Sequence, residues 1–243
     1  MSQAHVLMLP GTLCTGAVFE AQSIALKEVT PHVAVVPFRH ENSIREMATK
    51  VTACFPSSGQ VSVIGFSMGG MVALELLALV PDRINRIALL NSNSHADAPT
   101  RAMARQQQLA EARRAGIRHV VEQHLLPHYL HKRNRSHREL ILDMAEEIGV
   151  DGFTAQANAL ATRKDATGIL ESTKCPVLIV GAANDPLCPP EHQQEMHRLL
   201  QRSEIALLQE CGHFSLLEQP GQVNRVLLHW LRHGVSGSRP GAP

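Results

Sequence analysis

The chain has 243 residues, is 44% hydrophobic and carries a formal net charge of +1. That length and apolar content suit a single α/β domain with a substantial core and room for an inserted subdomain. The near-neutral charge excludes a global electrostatic case for nucleic acid or an anionic membrane, and no window reaches the apolar length of a bilayer span.

The opening residues MSQAHVLMLPG lack a basic segment ahead of a long apolar run, so they read as a strand and not as a secretory leader. Short, nearly unbroken apolar runs stand at 5–10, 33–38, 61–66, 86–91, 176–182 and 204–209. Runs of this kind suit strands covered on both faces, as in a parallel sheet. Helical candidates fall between them, near 17–28, 43–54, 68–79 and 190–201, with a last one near 215–232. This alternation predicts an α/β fold: a mostly parallel central sheet of about six strands, helices on both faces and right-handed crossovers.

The alternation breaks once. Residues 95–172 hold no clear strand, only helix-prone charged sequence such as TRAMARQQQLAEARRAG. They are expected to form a helical cap inserted into a core made of 1–94 and 173–233. The tail 234–243, rich in Gly, Ser and Pro, is expected to be disordered. The five cysteines, Cys14, Cys54, Cys175, Cys188 and Cys211, are odd in number and widely spaced, with no C-x-x-C. They read as reduced thiols of a cytoplasmic protein rather than a disulfide framework or a zinc knuckle.

One apolar run, VSVIGFSMGG (61–70), ends on Ser67, with Gly65 before it and Gly69 and Gly70 after it, and a long helical segment follows at once. G-x-S-x-G at a strand-to-helix junction is a nucleophile elbow: the tight turn lifts the serine Oγ clear of the sheet. The N–H of Met68 then points at the reacting carbonyl, and the helix adds its positive N-terminal end. An ordinary glycine-rich turn into a helix is the plain alternative for the motif alone.

Serine is a weak nucleophile without a base, itself oriented by a third group. PVLIVGAANDPLCPP puts Asp185 just past a strand, and IALLQECGHFSLLEQP puts His213 past the last one. Taken singly, Asp185 reads as a turn residue and His213 as one of fourteen histidines. Together, Ser67, Asp185 and His213 follow the order Ser…Asp…His, each at the C-terminal edge of a strand, where parallel α/β sheets bind ligands.

With these motifs the chain resembles the α/β-hydrolase fold superfamily over nearly all of residues 4–232. The resemblance rests on LMLPGT, GFSMGG, the run Gly181 to Pro189 around Asp185, and GHFSLLEQP from Gly212 to Pro220. It implies that Ser67 is the nucleophile, His213 the base and then acid, and Asp185 the residue that fixes the imidazole tautomer. The family's oxyanion loop usually begins with a His-Gly pair; here it reads Pro10-Gly11-Thr12. The resemblance implies Thr12 and Met68 as the two oxyanion N–H donors. Leu13 and Arg163 are candidate pocket residues.

Two other constellations carry less. His124, His128 and His131 would cluster on a continuous helix, but Pro127 interrupts them and no carboxylate joins at ligand spacing, so no metal site is expected. Residues 100–140 carry nine basic side chains, among them Arg113, Arg114 and Arg118, against three acidic ones. The default is a solvated helix face; a preference for anionic substrates is the sharper alternative. An ion pair between Arg163 and Asp165 is the default at the cap's return to the core.

The expectation is a serine hydrolase without cofactor or metal, cleaving a small carboxylic ester, lactone or thioester through an acyl-enzyme. The same triad used for C–C cleavage, elimination or perhydrolysis is one alternative. A non-catalytic ligand-binding protein on this fold is another. Neither nucleic acid nor membrane is an expected partner.

Overall fold

The computed structural model describes residues 5–235. Six strands form one sheet: β1 (His5–Leu9), β2 (Val33–Val35), β3 (Val61–Phe66), β4 (Ile84–Leu90), β5 (Val177–Ala182) and β6 (Ser203–Leu208). Their order is β2-β1-β3-β4-β5-β6, and all five pairings are parallel. Ten α-helical segments are described: α1 (Glu20–Leu26), α2 (Ile44–Thr52), α3 (Met68–Leu79), α4 (Pro99–Ala115), α5 (Ile117–Val120), α6 (Arg135–Ala161), α7 (Thr167–Ser172), α8 (Pro190–Leu199), α9 (Ser215–Glu218) and α10 (Pro220–His233).

Both faces of the sheet are buried, and the period of two along each strand sorts its side chains between two cores. Val6, Met8, Ile64, Phe66, Ala88, Leu90, Leu178 and Val180 face the core that holds Leu26 of α1 and Leu227 and Trp230 of α10. Leu7, Leu9, Val61, Val63, Ile87, Leu89, Val177 and Ile179 face the opposite core, with Met47 of α2, Val72 and Leu76 of α3, and Met196 of α8. This double burial explains why the strands read as continuous apolar runs rather than alternating ones.

Local chemistry marks the element ends. Ser43 caps α2 by accepting from Glu46 N at 3.1 Å, while the Glu46 carboxylate accepts from Asn42 N at 2.7 Å. Asn134 caps α6, and prolines open α4, α8 and α10. The last helix, expected as one piece, is two: Pro220 cannot extend the ladder of α9, so a new helix starts at it.

Between β4 and β5 the described residues form helices and turns only. Helix α6 is interrupted at Gly149 (φ 72°), where the chain redirects. Gln156 on its second half holds the core from above: its amide accepts from Leu13 N at 2.8 Å and donates to Phe38 O at 2.7 Å. Residues 236–243, most of the tail expected to be disordered, lie outside the described residues.

Candidate active site

The strand order places the site. After β1 the chain moves outward to β2, returns across β1 to β3, and then proceeds only in the other direction. A crevice opens at such a reversal, beyond the C-terminal strand ends. Leu9 of β1 is in register with Gly65 of β3, so Pro10-Gly11-Thr12 lies beside Phe66-Ser67-Met68.

Ser67 stands between β3 and α3 with φ 52° and ψ −114°, a strained conformation for a residue with a side chain. Close packing holds it there. A Cβ on Gly65 would come within 2.4 Å of Gly69 O, and one on Gly69 within 2.0 Å of Leu9 O. Ser67 N donates to Leu90 O at 2.9 Å, and Ser92 Oγ donates to Ser67 O at 2.8 Å, so β4 and the loop after it brace the turn.

His213 Nε2 lies 2.9 Å from Ser67 Oγ, and its Nδ1 lies 2.8 Å from Asp185 Oδ2. The other carboxylate oxygen, Oδ1, accepts from Leu187 N at 2.9 Å and Cys188 N at 3.0 Å. Burial alone would push the Asp185 carboxyl upward, but His213, Asn91 and the Cys188 N–H together hold it below the usual carboxylate range. The His213 ring packs against Tyr129 from the segment between β4 and β5, with centroids 6.0 Å apart, and against Phe66 from β3 at 5.4 Å.

The N–H groups of Thr12 and Met68 make no hydrogen bond among the described residues, and both residues line the same cavity as Ser67. That cavity measures about 360 Å³ and reaches from Phe66, Ser67 and His213 on the core to Gln108, His128 and Tyr129 above. Asp185, Cys188 and His213 lie within metal-ligand distance of one another. His213 Nδ1 is already engaged by Asp185, and burial, aided by the Asp185 charge, pushes the Cys188 thiol up to about 12.

A family model described as the alpha/beta hydrolase fold matches residues 38–220. The chain belongs to the α/β-hydrolase fold family. It is 26% identical over 188 residues to the pimeloyl-[acyl-carrier protein] methyl ester esterase of Neisseria meningitidis serogroup C, covering 74% of this chain and 72% of that one. It covers 59% of the serogroup A protein of the same name, at 27% identity. Among solved structures, a thermophilic esterase from Thermogutta terrifontis superposes with a TM-score of 0.84 at 24% identity, covering 96% of this chain and 91% of that one. The enol-lactonase of Burkholderia xenovorans LB400 gives 0.84 at 20% identity, covering 94% and 92%. These two show likeness of fold.

Several residues of this α/β hydrolase differ from their sequence reading. Leu13 is buried in the core and absent from the cavity wall; its positive φ (57°) turns the side chain inward while its N–H meets Gln156. Arg163 lines the cavity, but its partner is Asp97 at 2.7 Å, not Asp165. Asp165 instead caps α7 by accepting from Thr167 N at 2.9 Å, and it lies 3.6 Å from His95. Arg113 and Arg114, by contrast, are exposed away from the cavity and Arg118 is engaged by Glu139 and Glu146, in keeping with the solvated helix face that was the default reading.

The histidine run is broken at Pro127, which sits in a 3-10 turn. A carboxylate does reach it, contrary to the sequence reading: Glu111 of α4 takes His119 on one oxygen (2.9 Å) and His124 on the other (2.7 Å). Helix-to-helix packing brings Glu111 there, and sequence spacing does not reveal it. Sequence reasoning also missed Glu218, whose carboxylate accepts from Gly212 N at 2.8 Å and His131 N at 2.8 Å, tying the His213 loop to the segment between β4 and β5. Its only signal was the glutamate in GHFSLLEQP.

Proposed function

We propose that this α/β hydrolase is a serine esterase acting on a small carboxylic ester, lactone or thioester. Ser67 Oγ gives its proton to His213 Nε2 and attacks the carbonyl carbon, while Asp185 accepts from Nδ1–H and stabilises the imidazolium. The oxyanion is held by the N–H groups of Met68 and Thr12, neither of which is used elsewhere among the described residues. His213 protonates the leaving alcohol or thiol. A water deprotonated by His213 then attacks the acyl-enzyme, and Ser67 leaves with the proton returned to it.

The observation that carries this reading is the chain of contacts Ser67–His213–Asp185, 2.9 and 2.8 Å, at the floor of a cavity. The esterase name of the Neisseria relative supports it. Five free thiols support a reducing, cytoplasmic setting; among the described residues no helix is long and apolar enough to cross a membrane. The test is a fluorophosphonate label followed by a panel of short-chain esters, lactones and thioesters. Stoichiometric labelling at Ser67 with turnover of one substrate class is the expected result. Labelling elsewhere, or none, would overturn the assignment.

A further inference from the structure

Part of the cavity wall is charged, and predominantly positive. Asp97 is the one carboxylate on it among the described residues, against Arg101, Arg105 and Arg163. The side chains of Asp97 and Arg163 are 2% and 6% exposed, and Arg105 and Arg163 both pair with Asp97. One buried carboxylate therefore faces two largely buried guanidiniums, and Arg101, exposed at the edge of the cavity, adds a third positive charge with no carboxylate partner of its own among the described residues. Burying cations in excess of anions is unfavourable unless something else supplies the missing charge.

Three further features point the same way. Arg105 Nε is buried without a hydrogen-bond partner. Burial, reinforced by the neighbouring guanidinium charges, pulls Arg105 and Arg163 down to about 10. Arg101 is also fixed in place: Nη1 and Nη2 each donate to Leu187 O at 3.2 Å, and Leu187 N is one of the donors to Asp185. The third cation, carried by α4, is thus tied to the loop that carries the acid of the triad.

We infer that Arg101, Arg105 and Arg163 form an anion subsite of the cavity, and that the substrate is an ester or lactone bearing a free carboxylate remote from the scissile bond. The carboxylate would meet Arg101 first, through the guanidinium N–H groups that Leu187 O leaves free. The Arg105–Asp97–Arg163 unit behind it supplies the uncompensated positive field. The inference rests on the esterase reading for the identity of the reaction, but not for the binding of the anion.

The test compares kcat/KM for monomethyl glutarate and dimethyl glutarate, followed by pH-stat, in the wild type and in Arg101→Gln. Arg101 is exposed, so this change does not leave Asp97 unpaired. The wild type should prefer the monoanion, and the ratio should fall at least about ten-fold in the variant, the scale of a lost hydrogen bond between charged groups. Binding of monomethyl glutarate to the Ser67→Ala protein by calorimetry gives a readout free of chemistry, and Arg101→Gln in that background should weaken it by a similar factor. Equal kcat/KM for the two esters, or an affinity unchanged by Arg101→Gln, would overturn the subsite. If neither ester is turned over but the anion binds and Arg101→Gln weakens it, the subsite stands, and the esterase reading falls if Ser67 also resists the fluorophosphonate label.

Discussion

Asn91 donates its side-chain amide to Asp185 Oδ2 at 3.0 Å, across 94 residues of sequence, so the end of β4 secures the acid that follows β5. The same amide reaches Gly212 O at 3.4 Å, and Asn91 Oδ1 accepts from Ser215 Oγ at 2.5 Å. One buried asparagine, itself at φ 47°, therefore ties the Asp185 loop to the His213 loop. Asn91→Ala should lower kcat about ten-fold with little change in KM, and cost roughly 1–3 kcal/mol of stability through the polar groups left unpaired. Steady-state kinetics and urea denaturation measure both, and normal activity with reduced stability would confine Asn91 to a structural role.

Ser67→Ala should fold and lose roughly four to six orders of magnitude in kcat. Asp185→Asn should lose about 10⁴-fold, because the amide favours the wrong imidazole tautomer. Turnover of the best ester in the panel provides the scale. A near-silent Asp185→Asn would mean that its contact with His213 serves the fold alone.

Gly69→Ala should be destabilising by about 1–3 kcal/mol or more, since the new methyl would stand 2.0 Å from Leu9 O and neither backbone can move freely. Gly168→Ala is the matched control: nothing lies within 4 Å of its added carbon, and alanine favours helix α7 by up to about 1 kcal/mol. Thermal melts should therefore move in opposite directions.

Acid stability should depend on Asp185. Its folded pKa is depressed, so its contribution is present above the unfolded value of 3.8 and is lost as pH falls through the lower folded value. The wild type and Asp185→Asn should therefore show parallel urea midpoints from pH 7 to about 5. Below about pH 4 the wild type should fall more steeply. Parallel curves down to pH 3 would remove the carboxylate from the account.

Thiol titration with a disulfide reagent should find one fast cysteine in the native protein. Cys54 is exposed, whereas Cys14, Cys188 and Cys211 are buried, and burial pushes Cys188 and Cys211 up to about 12. All five should react once the chain is unfolded in denaturant.

What the sequence determined by itself was whatever has a short-range cause. The strands stood out because the middle of the sheet is buried on both faces, which makes β1, β3, β4 and β5 continuous apolar runs, while the edge strands β2 and β6 are only partly buried. The elbow stood out because only glycine fits at 65 and 69, where a Cβ would strike Gly69 O of α3 and Leu9 O of β1. The two loops carrying Asp185 and His213 could be placed at strand ends for the same local reasons. Tertiary structure decided the rest. Arg163 found Asp97 rather than its near neighbour Asp165, Asn91 found Asp185, Gln156 took the N–H of Leu13, and Glu111 joined two histidines. Those pairings depend on how crossovers and the helices between β4 and β5 fold back over the sheet. A polar side chain's partner across scores of residues leaves no periodicity in the sequence, because hydrogen bonding constrains position in space and not spacing along the chain.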